Sequence, residues 1–262
     1  MFSFLKNRRR KKLRALPFPA AWDEVLEETM PLFAKLPAKD KLTMSELIQV
    51  FLEEKHFEGC GGLKMTDEIR VTIAAQACLL LLHLPKADYY PKLKSILVYP
   101  ASYVAESITA DENGNLHESQ SHRLGESWST GSVVLSWNAV EQGALNTEDG
   151  QNVVFHEFAH QLDQANPASQ GAPYLAPDLG IRARRSKYVS WARVMREEFE
   201  DLQFQEKHGK KTLLDTYGAT NPAEFFAVAT ETFFERPDEL QKEHPELYDE
   251  LKSYYRQDPV AW

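Results

Sequence analysis

His156-Glu157-Phe158-Ala159-His160 places two imidazoles four residues apart, with a carboxylate directly after the first. On an α-helix this i, i+4 spacing stacks both rings on one face, where each offers a nitrogen to a single ion. Zinc suits such a site, because it accepts imidazole at about 2.0–2.1 Å in a tetrahedral arrangement. Glu157 lies about 100° round the helix from His156. From there a carboxylate can take a proton from a water acidified by the metal as that water attacks a carbonyl. In a chain with eight histidines, shuffling produces the pattern in roughly a couple of cases in a hundred. The expected chemistry is therefore hydrolysis by a zinc-bound water, with His156 and His160 as ligands and Glu157 as general base.

A catalytic zinc site takes three protein ligands and keeps one position open, so a third donor must come from another element. Asn221-Pro222-Ala223-Glu224 supplies a candidate. Asn is a good N-cap and Pro a good first helical residue, which puts Glu224 in the first turn of a helix. As a ligand Glu224 completes the site; as the last residue of a capping box it only reaches back to the cap's N–H. Glu231, seven residues on and on the same face, is a ligand or a partner of one. Asp163 lies about 20° from the direction of His156 and suits a group that orients His160, or else a surface position. Tyr217, seven residues before Glu224, is placed to donate to a developing oxyanion, or to pack in a turn beside Gly218.

These residues need positioning elements. A helix over 147–164, capped by Asn146 or Thr147, carries the two histidines, and its apolar side is Val153, Val154, Phe158 and Leu162. Further helices are expected over 182–205, 221–235 and 237–255. Before them, 96–99 and 103–109 read as short strands, and Asp111-Glu112-Asn113-Gly114-Asn115 has the chemistry of a tight hairpin turn. The best strand is 131–137, Gly-Ser-Val-Val-Leu-Ser-Trp. It is either a sheet edge along which an extended peptide pairs or an internal core strand. Earlier, 20–36, 45–57 and 66–84 read as helices, with a flexible loop at Gly59-Cys60-Gly61-Gly62. Helices, then a small group of strands, then helices indicate an α+β fold. The expected division is a flexible basic leader over 1–19, a helical subdomain over 20–91 and a catalytic domain over 92–262.

Composition narrows the class. With 43% apolar and 26% charged residues in 262, the chain is an ordinary globular protein large enough for a sizeable core. The longest apolar run, around 77–84, is too short to span a membrane. The charge at the N-terminus follows an apolar stretch, which reverses the order of a secretory signal. Cys60 and Cys78 form no disulfide framework and suit a reducing cytoplasm. Net charge is −9, yet residues 6–14 alone hold seven cations, leaving the remainder near −16. Such an acidic body argues against a nucleic-acid-binding surface, and the basic block reads as a solvated, disordered leader.

The set His156-Glu157-Phe158-Ala159-His160-Gln161-Leu162-Asp163, Tyr217 and Asn221-Pro222-Ala223-Glu224-Phe225-Phe226-Ala227-Val228 resembles the Mlc titration factor A (MtfA) family of bacterial zinc peptidases. The strand at 131–137, Phe57-Glu58-Gly59-Cys60-Gly61-Gly62 and Ile73-Ala74-Ala75-Gln76-Ala77 are similar too. The resemblance covers nearly all of the chain after the basic segment. It implies a zincin-like metallopeptidase domain with a small mixed sheet and a gluzincin-type site, in which His156, His160 and Glu224 match the zinc ligands. Glu157 matches the general base and Tyr217 the tyrosine near the scissile carbonyl. It further implies a cytoplasmic enzyme with aminopeptidase-like activity on peptide substrates and binding to the glucose-system repressor Mlc. A longer basic leader and the length of the loop over 165–180 depart from the family pattern.

Overall fold

The computed structural model describes residues 2–85, 88–101, 103–110, 116–123, 125–128, 131–166, 171–175 and 178–262. The expected turn at 111–115 lies outside the described residues. The N-terminal third is helical: α1 (Phe2–Arg14), α2 (Ala20–Thr29), α3 (Pro31–Lys35), α4 (Ala38–Glu54) and α5 (Asp67–Leu79). Helix α5 is buried almost throughout, and Thr66 caps it by accepting from the Ile69 N–H.

Four strands form one sheet: β1 (His56–Gly59), β2 (Ser95–Tyr99), β5 (Gly125–Trp128) and β6 (Ser132–Ser136), in the order β1-β2-β6-β5. The first three run parallel, and β5 pairs antiparallel with β6. Strands β3 (Tyr103–Ala110) and β4 (Leu116–Arg123) form a separate antiparallel pair. Beyond the sheet come α6 (Trp137–Leu145), α7 (Val153–Ala165), α8 (Ile181–Lys207), α9 (Pro222–Glu235), α10 (Pro237–Glu243) and α11 (Pro245–Tyr255). The α+β class is therefore correct.

Four local expectations change. The helix before β1 ends at Glu54, because Lys55 turns extended and its buried ammonium donates to the carbonyls of Tyr90 and Leu93 at 2.8 and 2.7 Å. The residues read as the end of a helix and the start of a loop become β1, tied to β2 by parallel pairing. Strand β6 is bonded on both sides, to β2 and β5, so it is an internal core strand and no peptide can pair along it. Helix α7 starts at Val153, six residues later than expected. Gly150 (φ +78°) breaks the chain before it, and Asn152 caps it by accepting from the N–H groups of Val154 and Phe155.

The basic segment is not a flexible leader. Residues 2–14 form α1, and Arg10 is buried, with its guanidinium forked onto the Glu54 carboxylate at 2.7 Å for both bonds. A block of like charge reads as solvated, but here carboxylates from α4 and from before β2 neutralise one face of it. One continuous core runs through α4, α5, α7, α9 and α11, so residues 20–91 share their apolar interior with the rest of the chain.

Candidate metal centre

Two helices build the site. In α7, Phe155 and Phe158 are fully buried: Phe155 meets Phe234 of α9 at 5.3 Å between ring centroids, and Phe158 meets Tyr90 at 4.7 Å. Helix α9 is buried from Phe225 to Glu235. Both are capped by asparagine; Asn221 accepts from the N–H groups of Ala223 and Glu224 at 2.9 and 3.1 Å. Gly171 helps seat the start of α9, since its positive φ brings it so close to Pro222 that a Cβ would meet the Pro222 carbonyl oxygen at 2.3 Å.

The packing brings three expected donors together. His156 Nε2 lies 2.9 Å from Glu224 Oε2, His160 Nε2 lies 3.2 Å from the same oxygen, and the two Nε2 atoms are 3.2 Å apart. Ligand atoms bound tetrahedrally to one zinc ion stand roughly 3.3 Å from one another. The donor types and their convergence fit that ion, and this trio is the group capable of holding a metal among the described residues. Glu224 spends its carboxylate on the histidines, so it is not the reciprocal member of a capping box.

Glu231 joins the site from two turns further along α9. Its Oε1 lies 2.7 Å from His156 Nδ1, and its Oε2 accepts from the Asn152 backbone N–H at 2.5 Å. It is thus a partner of His156, accepting from Nδ1–H and leaving the Nε2 lone pair turned toward the centre. Among the described residues His160 meets His156 and Glu224 and not Asp163, which was expected to orient it and is buried.

The electrostatics follow from burial and charge. With no ion bound, burial opposes a charge on His156, but Glu224 and Glu231 outweigh it and lift its pKa to about 10, so a metal ion takes the Nε2 lone pair by displacing a proton. Burial likewise raises Glu224, and the two histidines overcome it and bring the pKa down to about 2. For Glu157 burial dominates over the histidines and raises the carboxyl to about 7. One of its oxygens, Oε2, is buried with no hydrogen-bond partner among the described residues. A carboxyl poised near neutrality beside cation-binding donors is suited to taking and releasing a proton.

The family model of glucose-regulated metallo-peptidase M90 matches residues 4–256. The chain belongs to this family. Among its relatives, an uncharacterized protein of Synechocystis sp. is 41% identical over 253 residues, covering 96% of this chain and 89% of the relative. Mlc titration factor A of Yersinia pestis is 30% identical over 246 residues, covering 92% and 86%, and the protein of that name in Yersinia pseudotuberculosis matches equally. The family resemblance read in the sequence is thus borne out.

In this M90 chain Tyr217 sits in a short 3-10 turn, Thr216–Ala219, between α8 and α9. Asp215 holds the turn by accepting from the Tyr217 N–H at 2.8 Å. The phenol ring is more than half exposed, with its centroid 6.0 Å from that of His156. The turn packs closely at Gly218, where a Cβ would press on the Leu202 and Val228 side chains at 3.2–3.3 Å. Sequence reasoning missed Asn152, which caps α7, meets Glu231 through its N–H, and donates from its amide to Gln76 Oε1 at 2.8 Å and to the Gly143 carbonyl at 2.9 Å. Its position just before Val153-Val154-Phe155, with Gly150 two residues earlier, was the available signal.

Proposed function

We propose that this chain is a zinc-dependent peptidase of gluzincin type on a zincin-like fold, with His156, His160 and Glu224 holding the ion. The observation that carries this reading is the convergence of two imidazole nitrogens and one carboxylate oxygen, 2.9–3.2 Å apart, beside the buried carboxyl of Glu157. Zinc, when bound, supplies a Lewis acid that polarises a carbonyl and acidifies water. Glu157 acts as general base, accepting a proton at its unpartnered oxygen and returning it to the leaving amine. Tyr217 donates its phenol hydrogen to the oxygen on which charge develops. Glu231 holds His156 in one tautomer. The substrates are short peptides, cleaved in an aminopeptidase-like manner in the cytoplasm.

A second role is supported by the relatives named Mlc titration factor A: this chain also binds the repressor Mlc. The alternative, a zinc protein that only sequesters a regulator, differs in one respect, namely that Glu157 then has no chemistry to perform. Elemental analysis of the wild type, His156→Ala and Glu224→Ala, with hydrolysis of chromogenic aminoacyl substrates, tests the metal site. Glu157→Gln should keep the zinc and lose activity by about 10²–10⁴-fold. Full activity in Glu157→Gln, or a wild type that binds no zinc, overturns the peptidase reading. Mlc binding that survives in Glu157→Gln shows that the two roles are separable.

A further inference from the structure

Helix α1 uses its cations unequally. Four are spent on the fold: Lys6 pairs with Asp88 at 3.0 Å, Arg9 with Glu53, Arg10 with Glu54 and Asp88, and Arg14 donates to the Tyr89 hydroxyl at 2.7 Å. Arg10 also lies over the Tyr89 ring at 4.5 Å from its centroid, and Leu13 packs against the core. These contacts settle which side of α1 faces the body.

The opposite side is left with Arg8, Lys11 and Lys12, all exposed and with no acidic partner among the described residues. At about 100° per residue they fall on the face away from Arg10, together with Phe4 and Leu5. Phe4 is 71% exposed and Leu5 55%, and Leu16, just past the helix, is 58% exposed. Large apolar side chains kept in water beside unpaired cations serve no purpose in the fold's own packing. They are what a helix lying in a charged membrane interface presents. No helix among the described residues is long and apolar enough to cross a membrane, so the contact is with a surface.

We infer that the outward face of α1 docks this protein on an anionic phospholipid surface, with Arg8, Lys11 and Lys12 at the headgroups and Phe4 and Leu5 at the acyl boundary. Charge complementarity selects the occupant. The remainder of the chain, near −16, is repelled by such a surface, so contact is confined to this one helix and is sensitive to salt. A nucleic acid matches the cations equally and gives Phe4 a base to stack on, but it offers no apolar partner to Leu5 and is disfavoured by the acidic remainder of the chain.

The test is sedimentation of the full chain with vesicles of phosphatidylcholine containing about one third phosphatidylglycerol, against pure phosphatidylcholine. Binding to the anionic vesicles alone, weakened by salt, is expected. Each cation at the surface contributes about fivefold, so the triple variant Arg8→Gln/Lys11→Gln/Lys12→Gln should bind about a hundredfold more weakly. Phe4→Ser/Leu5→Ser should also weaken it. All five side chains are exposed and lie outside the metal centre, so far-UV circular dichroism and zinc content should not change. The inference is overturned if the wild type ignores anionic vesicles or the triple variant binds as the wild type does. Tighter binding to single-stranded RNA than to the anionic vesicles overturns it in favour of a nucleic-acid contact.

Discussion

Replacing Glu231 by glutamine changes one oxygen of a buried carboxylate into an NH₂ group and leaves the shape intact. In the wild type that carboxylate accepts from two fixed N–H groups at once, the Asn152 backbone N–H at 2.5 Å and, at 2.7 Å, His156 Nδ1. An amide has only one oxygen, so one of the two donors must face another donor. The backbone N–H cannot yield. The imidazole can, by moving its proton from Nδ1 to Nε2, so that Nδ1 then accepts from the amide. That tautomer puts a hydrogen on the nitrogen aimed at the centre and removes His156 as a ligand. Loss of such an outer partner typically costs 10–100-fold in metal affinity, about 1.4–2.7 kcal/mol. Competition with a chromogenic chelator at neutral pH measures the zinc affinity of Glu231→Gln. Thermal melting of the metal-free protein, measured beside it, separates a local effect from a general loss of fold. An affinity within twofold of wild type would refute the tautomer argument and leave Glu231 as a packing residue. Glu231→Ala serves as contrast, because it also strands a buried N–H and should destabilise the apo fold by about 1–3 kcal/mol.

Glu235 is buried, and burial raises its pKa to about 9 from 4.5 against the smaller opposing pull of the Asn152 side chain and the Gln151 backbone. The unfolded chain therefore ionises near pH 4.5 while the folded one keeps its proton, so this group's contribution to stability declines as pH rises from 4.5 towards 9. Glu235→Gln removes that decline, and denaturant melts at pH 5 and pH 8, compared through their midpoints, should show a smaller drop than in wild type; an equal drop refutes it. Gly171→Ala puts a Cβ at 2.3 Å from the Pro222 carbonyl oxygen at a φ of +81°. It should lower stability by about 1–3 kcal/mol and weaken zinc binding through the start of α9, and an unchanged melting temperature counts against that seating role. Asn152→Ala removes the α7 cap and its links to Gln76 and Gly143, and should cost about 1–2 kcal/mol by the same melts, more than at an exposed cap; a loss under half of that would mean the network is slack.

What was legible in the sequence was local. The spacing of His156 and His160 specifies one helical face wherever the helix sits, and Asn221-Pro222 announces a helix start, so α7, α9 and three of the donors could be read directly. The rest depended on partners far along the chain. Strand β1 exists because β2, some forty residues later, pairs with it. Helix α6 follows β6 without a break, and its N-cap, Ser136, makes no side-chain capping bond, so no start signal marks it. The basic segment is ordered by Glu53 and Glu54, more than forty residues away, and by Asp88, about eighty away. The sequence reading put the cap at Asn146 or Thr147, whereas Gly150 turns the chain at positive φ and Asn152 makes the capping bonds.

The relation between α7 and α9 goes beyond supplying a third donor. Glu224 and Glu231 are seven residues apart on one face, about 10 Å along the axis, yet they meet the two nitrogens of the same imidazole. One rigid helix thereby grips His156 from both sides, and the ring cannot rotate without losing a carboxylate. Since Glu231 is also bonded to the N–H that begins α7, a shift of α9 along its axis would loosen the cap of α7 and the ligand geometry together. The expectation that follows is coupling: in a double-mutant cycle of Asn152→Ala and Glu231→Gln, the losses in zinc affinity should fall short of additivity by about 0.5 kcal/mol or more. Additive losses would mean that cap and ligand are held independently, and that the grip on His156 comes from α9 alone.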